Sequence, residues 1–240
     1  MGPDAAAATT DRALAREVVA RLRRAYEAAA DPVRAAGAAA YLRDQFPFFG
    51  VATPARRQLM REALADLPDP TEGQLGAISR ALWAEPEREL QQAGCDLLRQ
   101  HVDVASADFI GVLHHLVTTK AWWDTVDALA AHAVGPLVRA HPELVATMDR
   151  WATSEDRWVA RTAILHQLTA KDETDPERLL RYCRQRADDR DLFIRKAIGW
   201  ALRTYAAVDP DAVEAFVAST PALSGLSVRE AMRGVARSRR

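Results

Sequence analysis

Apolar residues recur three and four apart along nearly the whole chain, and no segment alternates convincingly as a strand. That period predicts an all-α protein of about a dozen helices, each roughly 10–20 residues long. Residues 11–30 read as one amphipathic helix. Asp31-Pro32 restarts the chain with an N-cap residue and a proline at the first helical position. The helix after it is expected to run to about residue 45. Phe46-Pro-Phe-Phe-Gly50 is an aromatic-rich break. Thr53-Pro54 opens the next helix, and Pro68 and Pro70 close it. Further starts fall at Thr71, Pro86, Ser106, Ala121, Pro142, Ser154, Pro176, Asp189, Asp209 and Ser227. Several of these are proline or a short hydroxyl or carboxylate residue just before an apolar-periodic run.

The connections are short, so consecutive helices are expected to pack antiparallel. Helix pairs repeat about every 35–45 residues, the period of helical-repeat solenoids. The fold class expected is a superhelical solenoid of degenerate HEAT-like helix pairs with a concave binding face. No Gly/Ser spacer, Pro-rich linker or acidic block interrupts it. The expected organisation is a disordered N-terminal tail over 1–10 and a single domain over 11–240.

Composition adds limits. The chain has 240 residues, 49 % of them hydrophobic and 27 % charged, and a net charge of −1. That excludes a disordered chain, and the lack of any run of eighteen apolar residues excludes a membrane-spanning helix. The Ala-rich start lacks the basic stretch and apolar core of a signal peptide. There are 48 alanines, which favour helix, and 29 arginines against 3 lysines. Arginine suits phosphate recognition, although a GC-rich genome explains most of the excess. Near-neutral charge argues against a generally basic nucleic-acid coat and leaves room for a basic groove balanced by an acidic back. Cys95 and Cys183 read as reduced, structural thiols of a cytoplasm. His114 and His115 are adjacent and cannot converge on one metal from a helix. No metal motif, Gly-rich phosphate loop or nucleophile elbow appears, so neither metal nor cofactor is expected.

Three segments carry candidate chemistry. In Thr118-Thr-Lys-Ala-Trp-Trp-Asp-Thr-Val-Asp127, adjacent tryptophans on a helix point about 100° apart. Trp122 lines up with Val126, Leu129, Ala133 and Leu137, a core stripe. Trp123 lines up with Asp127, one turn on, and beyond them the stripe is small (Ala130, Ala131). An aromatic plane and a carboxylate thus share a face away from the core. Taken alone, the pair also fits a packing tryptophan and a solvated acid. Asp124 fits a partner for the helix dipole.

In Phe193-Ile-Arg-Lys-Ala-Ile-Gly-Trp-Ala-Leu-Arg-Thr-Tyr205, Ile194, Ala197, Ile198, Ala201, Leu202 and Tyr205 form the buried stripe. Lys196, Trp200 and Arg203 fall on another face, a tryptophan flanked by two cations. Gly199 costs a helix roughly 1 kcal/mol relative to alanine, so a close approach of a helix or a ligand is expected there. Plain packing also fits. Arg157 and Arg161 sit one turn apart, off the stripe of Ala160, Ala163, Ile164 and Leu168. Alone they are an ordinary solvated face. Thr53-Pro-Ala-Arg-Arg57 joins a helix N-terminus, a hydroxyl and two arginines, a suitable anion site.

With these residues in view, the chain resembles the AlkD-type DNA alkylation repair glycosylases. The resemblance is carried by Thr119-Lys-Ala-Trp-Trp-Asp-Thr-Val-Asp127 and Ile194-Arg-Lys-Ala-Ile-Gly-Trp-Ala-Leu-Arg203. It is extended by Tyr41 before the 46–50 break, Thr53-Pro-Ala-Arg-Arg57, Leu82-Trp-Ala-Glu-Pro-Glu-Arg-Glu89 and Trp158-Val-Ala-Arg-Thr-Ala-Ile-Leu165. It spans roughly residues 14–235. It implies a HEAT-like superhelix holding duplex DNA that contains alkylated purines. It implies hydrolysis of the N-glycosidic bond of cationic N3-alkyladenine and N7-alkylguanine, without flipping the lesion into a pocket. The implied catalytic set is Trp123, Asp127 and Trp200. Arg161, Arg203, Tyr41, Thr53, Arg57 and Lys120 match DNA-contacting or site-supporting positions.

The expectation is therefore a monomeric enzyme of base excision repair, in a bacterial cytoplasm and on the nucleoid through its DNA. Two alternatives stand beside it. One is a related glycosylase specialised for bulky natural-product adducts. The other is a non-catalytic HEAT-repeat scaffold for DNA or protein.

Overall fold

The computed structural model describes the backbone of residues 3–240 and the side chains from Ala8 onward. Helix follows helix, with no strand among the described residues. Chain contacts gather into two compact units, Met1–Lys120 and Ala121–Arg240.

The first unit contains α1 (Pro3–Ala28), α2 (Pro32–Tyr41), α3 (Thr53–Ala63), α4 (Glu72–Ala84), α5 (Arg88–His101) and α6 (Ile110–Thr118). Helix α1 extends back through residues 3–10, part of the stretch expected to be a tail. Alanine loses no side-chain entropy in a helix, so an Ala-rich lead-in extends a helix readily. Met1 and Gly2 lie outside the described residues. Ala15, Val18, Leu22 and Tyr26 of α1 are buried at helical spacing against Met60, Ile78, Leu82, Leu90 and Leu97. The Asp31 carboxylate caps α2, accepting from the Val33 and Arg34 amides. Helix α2 stops at Tyr41, short of residue 45. Arg43 and Asp44 take left-handed φ values of 58° and 56°, and the Asp44 amide closes back on the Ala39 carbonyl.

The 46–50 break is held from below by a buried carboxylate. Glu89 of α5 accepts the backbone N–H groups of Phe49, Gly50 and Val51 at 3.1, 2.7 and 3.2 Å. Gly50 has φ +87°, and a Cβ there would meet the Asp31 carbonyl oxygen at 2.1 Å. Only glycine satisfies both conditions. Arg88, fully buried, lies over the Phe46 ring at 3.9 Å and donates to the Lys120 carbonyl at 2.9 Å.

The second unit contains α7 (Trp123–Leu129), a π-helical turn (Ala130–Val134) and α8 (Gly135–Ala140). It continues with α9 (Val145–Ala152), α10 (Arg157–Leu165), α11 (Pro176–Gln185), α12 (Leu192–Tyr205), α13 (Pro210–Ser219) and α14 (Gly225–Ser238). Asp156, Asp175, Asp191, Asp209 and Ser224 supply side-chain N-caps. The starts expected at Ser154, Asp189 and Ser227 lie two or three residues from the observed ones, because the neighbouring aspartate or serine takes the capping position. Helix α10 is central: α7, α9, α11 and α12 all pack on it. The Thr169 hydroxyl donates to the Ala131 carbonyl inside the π turn at 2.8 Å.

His166, just past α10, is fully enclosed. Its Nδ1 bonds to the Ala163 carbonyl at 2.6 Å, and its Nε2 is buried with no partner. Burial holds its pKa down at about 4, against an ordinary 6.5. The folded chain therefore refuses a proton that the unfolded chain accepts. The stabilisation is complete above pH 6.5 and is lost as pH falls toward 4, by about 3 kcal/mol in total. Urea melts at pH 7 and pH 4.5 are expected to show this loss in the wild type. His166→Asn, which keeps a donor for Ala163, is expected to show a smaller drop. Equal drops in both proteins would refute the assignment.

Candidate active site

Helix α7 begins one residue later than the sequence period implied. Trp122 has φ −153° and ψ 158°, extended backbone, and stands before the helix. It therefore leaves the core stripe in which it was expected. Its ring packs on Trp158 and Phe193 instead, and its Nε1 is shielded without a partner. Val126 and Leu129 keep their core places. Trp123 and Asp127, one turn apart within α7, remain on a shared face; Trp123 is half-buried and the Asp127 side chain lies deeper. Asp124 lies in the first turn, the favourable end of the helix dipole.

The centre of the site is an ion pair between helices. Arg161 of α10 grips Asp127 with two parallel bonds, Nε to Oδ1 at 2.6 Å and Nη2 to Oδ2 at 2.8 Å. Its Nη1 donates to the Phe193 carbonyl at the start of α12. The Arg161 side chain is 5 % exposed and that of Asp127 is 12 %. The solvated face expected for Arg157 and Arg161 is thus half corrected. Arg161 is interior because α7 and α12 both land on α10 at this level. Arg157 stays at the surface, paired to Asp191 at 2.7 Å. Burial pushes the Asp127 carboxyl above the usual carboxylate range. Arg161 opposes that shift, and Asp124 adds to it.

Helix α12 presents the other tryptophan. Ile194, Ala197, Ile198, Ala201, Leu202 and Tyr205 are buried as the spacing predicts, while Trp200 is half-buried and Lys196 and Arg203 are exposed. Trp200 stands two helical turns beyond Phe193, on the same stripe of α12. Gly199 faces α14, where a Cβ would meet Glu230 Cβ at 2.9 Å and Ser227 Cα at 3.2 Å. Close helix approach, one of the two explanations expected for that glycine, accounts for it. Arg203 is ion-paired to Glu230 and 43 % exposed.

The remaining candidates lie in the first unit. Tyr41 ends α2 and is 71 % exposed. Thr53 is the exposed first residue of α3. Arg57 is 44 % exposed, with its Nε and Nη2 on Asp96, while Arg56 turns inward to the same carboxylate at 2.8 Å. Lys120 has φ 48°, and its Nζ donates to the Ala84 and Glu85 carbonyls at 3.0 and 2.6 Å. It closes the C-terminal end of α4, and burial lowers its pKa. Sequence reasoning missed the partners: Asp96, Glu89, Glu230 and the Trp122–Trp158–Phe193 cluster. Aromatic residues recurring at the first turns of α10 and α12 were the available signal for the cluster.

This is a helical protein with a buried carboxylate–arginine pair and half-exposed tryptophans on two of the helices that pack around it. The model of the DNA alkylation repair enzyme family matches residues 22–235, and the chain belongs to that family. Among solved structures it is similar to a predicted DNA alkylation repair enzyme from Enterococcus faecalis. That likeness has 31 % identity and a TM-score of 0.78, covering 85 % of this chain and 95 % of the other. No curated protein matches the chain at a significant level. Family membership supports a role in the repair of alkylated DNA.

The Asp127 carboxyl is expected to titrate above the ordinary carboxylate value. Arg161→Met keeps the burial and removes the opposing cation, so it moves that titration further up. Carbon-13 NMR of the side-chain carboxyls, assigned with Asp127→Asn, checks both. A downward shift in Arg161→Met contradicts this account of the pair.

Proposed function

We propose that the protein is a DNA glycosylase that hydrolyses the N-glycosidic bond of cationic alkylpurines, N3-alkyladenine and N7-alkylguanine, in duplex DNA. The observation that carries the proposal is Asp127: a buried carboxylate held by Arg161, one turn from Trp123 on the same helix face.

The chemistry follows from the charge on the lesion. A cationic alkylpurine leaves as a neutral base, taking the electron pair of the C1′–N bond, so no strong general acid is needed. Positive charge then develops on the deoxyribose. A fixed carboxylate beside the sugar stabilises it, as in sugar hydrolases. Low dielectric around Asp127 strengthens that interaction. Water attacks C1′ and passes a proton to Asp127, whose raised pKa makes it a better base than a solvated aspartate. The indole faces of Trp123 and Trp200 attract the cationic sugar, each by about 0.5–2 kcal/mol. Both remain half-buried rather than enclosed, which suits excision at the surface of the duplex without base flipping.

In this reading Arg203, Arg57, Thr53 and Tyr41 contact DNA. Arg161 supports the site from within, and Lys120, the less secure match, holds the C-terminal end of α4. No metal or cofactor takes part. The protein acts as a monomer, with duplex DNA as its partner.

A duplex carrying N7-methylguanine is expected to lose that base to the wild type. Asp127→Asn lowers release by on the order of 10²–10³-fold, the scale of losing one main electrostatic stabiliser. Wild-type release unchanged by Asp127→Asn rejects the assigned role, and no release at all favours a binding scaffold. Faster release of bulky adducts than of methyl lesions would point to the specialised alternative. Arg203→Ala is expected to weaken binding to undamaged duplex and to flatten the plot of log affinity against log salt by about 1. An unchanged slope removes Arg203 from the phosphate contacts.

A further inference from the structure

Three aromatic rings form a closed triangle in the second unit. Ring centroids are 5.7 Å apart for Trp122–Trp158, 5.4 Å for Trp122–Phe193 and 4.8 Å for Trp158–Phe193. Each comes from a helix start. Trp122 immediately precedes α7, and its carbonyl accepts the Val126 amide. Trp158 is the second residue of α10, and its carbonyl accepts the Thr162 hydroxyl at 2.8 Å. Phe193 is the second residue of α12, and its carbonyl accepts Arg161. These three helices carry Asp127, Arg161 and Trp200 in turn.

We infer that the Trp122–Trp158–Phe193 cluster is the positioning device of the site, locking the first turns of α7, α10 and α12 together so that Arg161 reaches Asp127 and the Phe193 carbonyl at once. The reading that Asp127 is catalytic underlies this inference. Trp158 and Phe193 are positioning residues here, since they act through Arg161 and Asp127. The geometry requires it in a simple way. A guanidinium bonded at both ends has no slack, so the two helices that supply its acceptors must hold fixed offsets from α10. Backbone hydrogen bonds fix each helix internally and say nothing about its offset from the next. The ring triangle joins the starts of all three helices side chain to side chain. The charged groups facing Asp127 are Arg161 from α10 and Asp124 from its own helix, so a change in the cluster reaches the carboxylate through Arg161.

The test uses the full-length protein with Trp158→Ala, Trp158→Phe and Phe193→Leu. Trp158→Ala is expected to bind undamaged duplex as the wild type does and to release N7-methylguanine roughly 10²-fold more slowly, the scale of an ångström-sized misplacement. Its Asp127 carboxyl, followed by carbon-13 NMR, moves further up, as in Arg161→Met, because the guanidinium no longer reaches it. Trp158→Phe restores most of both. Phe193→Leu leaves the Phe193 carbonyl in place and shifts rate and titration in the same direction. An Asp127 titration unchanged in folded Trp158→Ala overturns the inference. If that variant does not fold, an unchanged titration in Phe193→Leu overturns it. The carboxylate titration is independent of base release, so a wild type that releases no base sinks the proposed activity while the role of the cluster is still decided.

Discussion

The second unit is organised around one ion pair. A carboxylate as buried as Asp127 is costly unless a cation and further hydrogen bonds compensate for its lost hydration. Arg161 supplies both, with a bidentate grip, and its third bond draws the start of α12 into the same arrangement. Three helices are therefore tied through one guanidinium. Removing either charged partner leaves the other buried and alone, a loss on the order of 3–5 kcal/mol. In the proposed activity, stability and reactivity would have the same source. The desolvation that makes the pair expensive also keeps Asp127 more basic and its field less screened.

Much of this was legible in the sequence, and what escaped has a consistent cause. The helical period placed Trp123 and Asp127 on one face and separated Trp200 and Arg203 from the buried stripe of α12. Gly199 announced a close approach, found against α14. Periodicity assigns a residue to a face of its own helix. It does not reveal which other helix covers that face. By spacing alone Arg161 reads as solvated for that reason: α10 alone has a plausible polar side, and α7 and α12 cover it. Trp122 was misplaced through a boundary error of one residue. At a helix start, that converts a core position into an extended one.

The first unit makes the same point with different chemistry. By its residues the 53–57 segment reads as an anion site, and the 82–89 segment enters only through the family resemblance. In the structure much of their charge is internal. Glu89 replaces the missing partners of three loop amides, and Arg88 is fully buried beneath Phe46. Asp96 takes Arg56 from inside and Arg57 from outside. A loop without secondary structure must satisfy its backbone somewhere, and a buried carboxylate does so for adjacent N–H groups in one place.

Burial finally divides the arginines into two physical kinds. Arg161 sits in a low-dielectric pair whose separation would strand two charges. Arg57 and Arg203 are each nearly half exposed and paired to Asp96 and Glu230. Their acid partners are less exposed, 9 % for Asp96 and 19 % for Glu230, and each keeps a second arginine, Arg56 and Arg233, when a phosphate takes the solvent-facing guanidinium. In the proposed activity, DNA would then be gripped by exchange of acid partners and not by a net positive field. That reconciles a chain of net charge −1 with a polyanionic substrate. It also weakens unspecific binding through Arg57 and Arg203, where a phosphate of undamaged duplex must first compete with an acid the protein already carries.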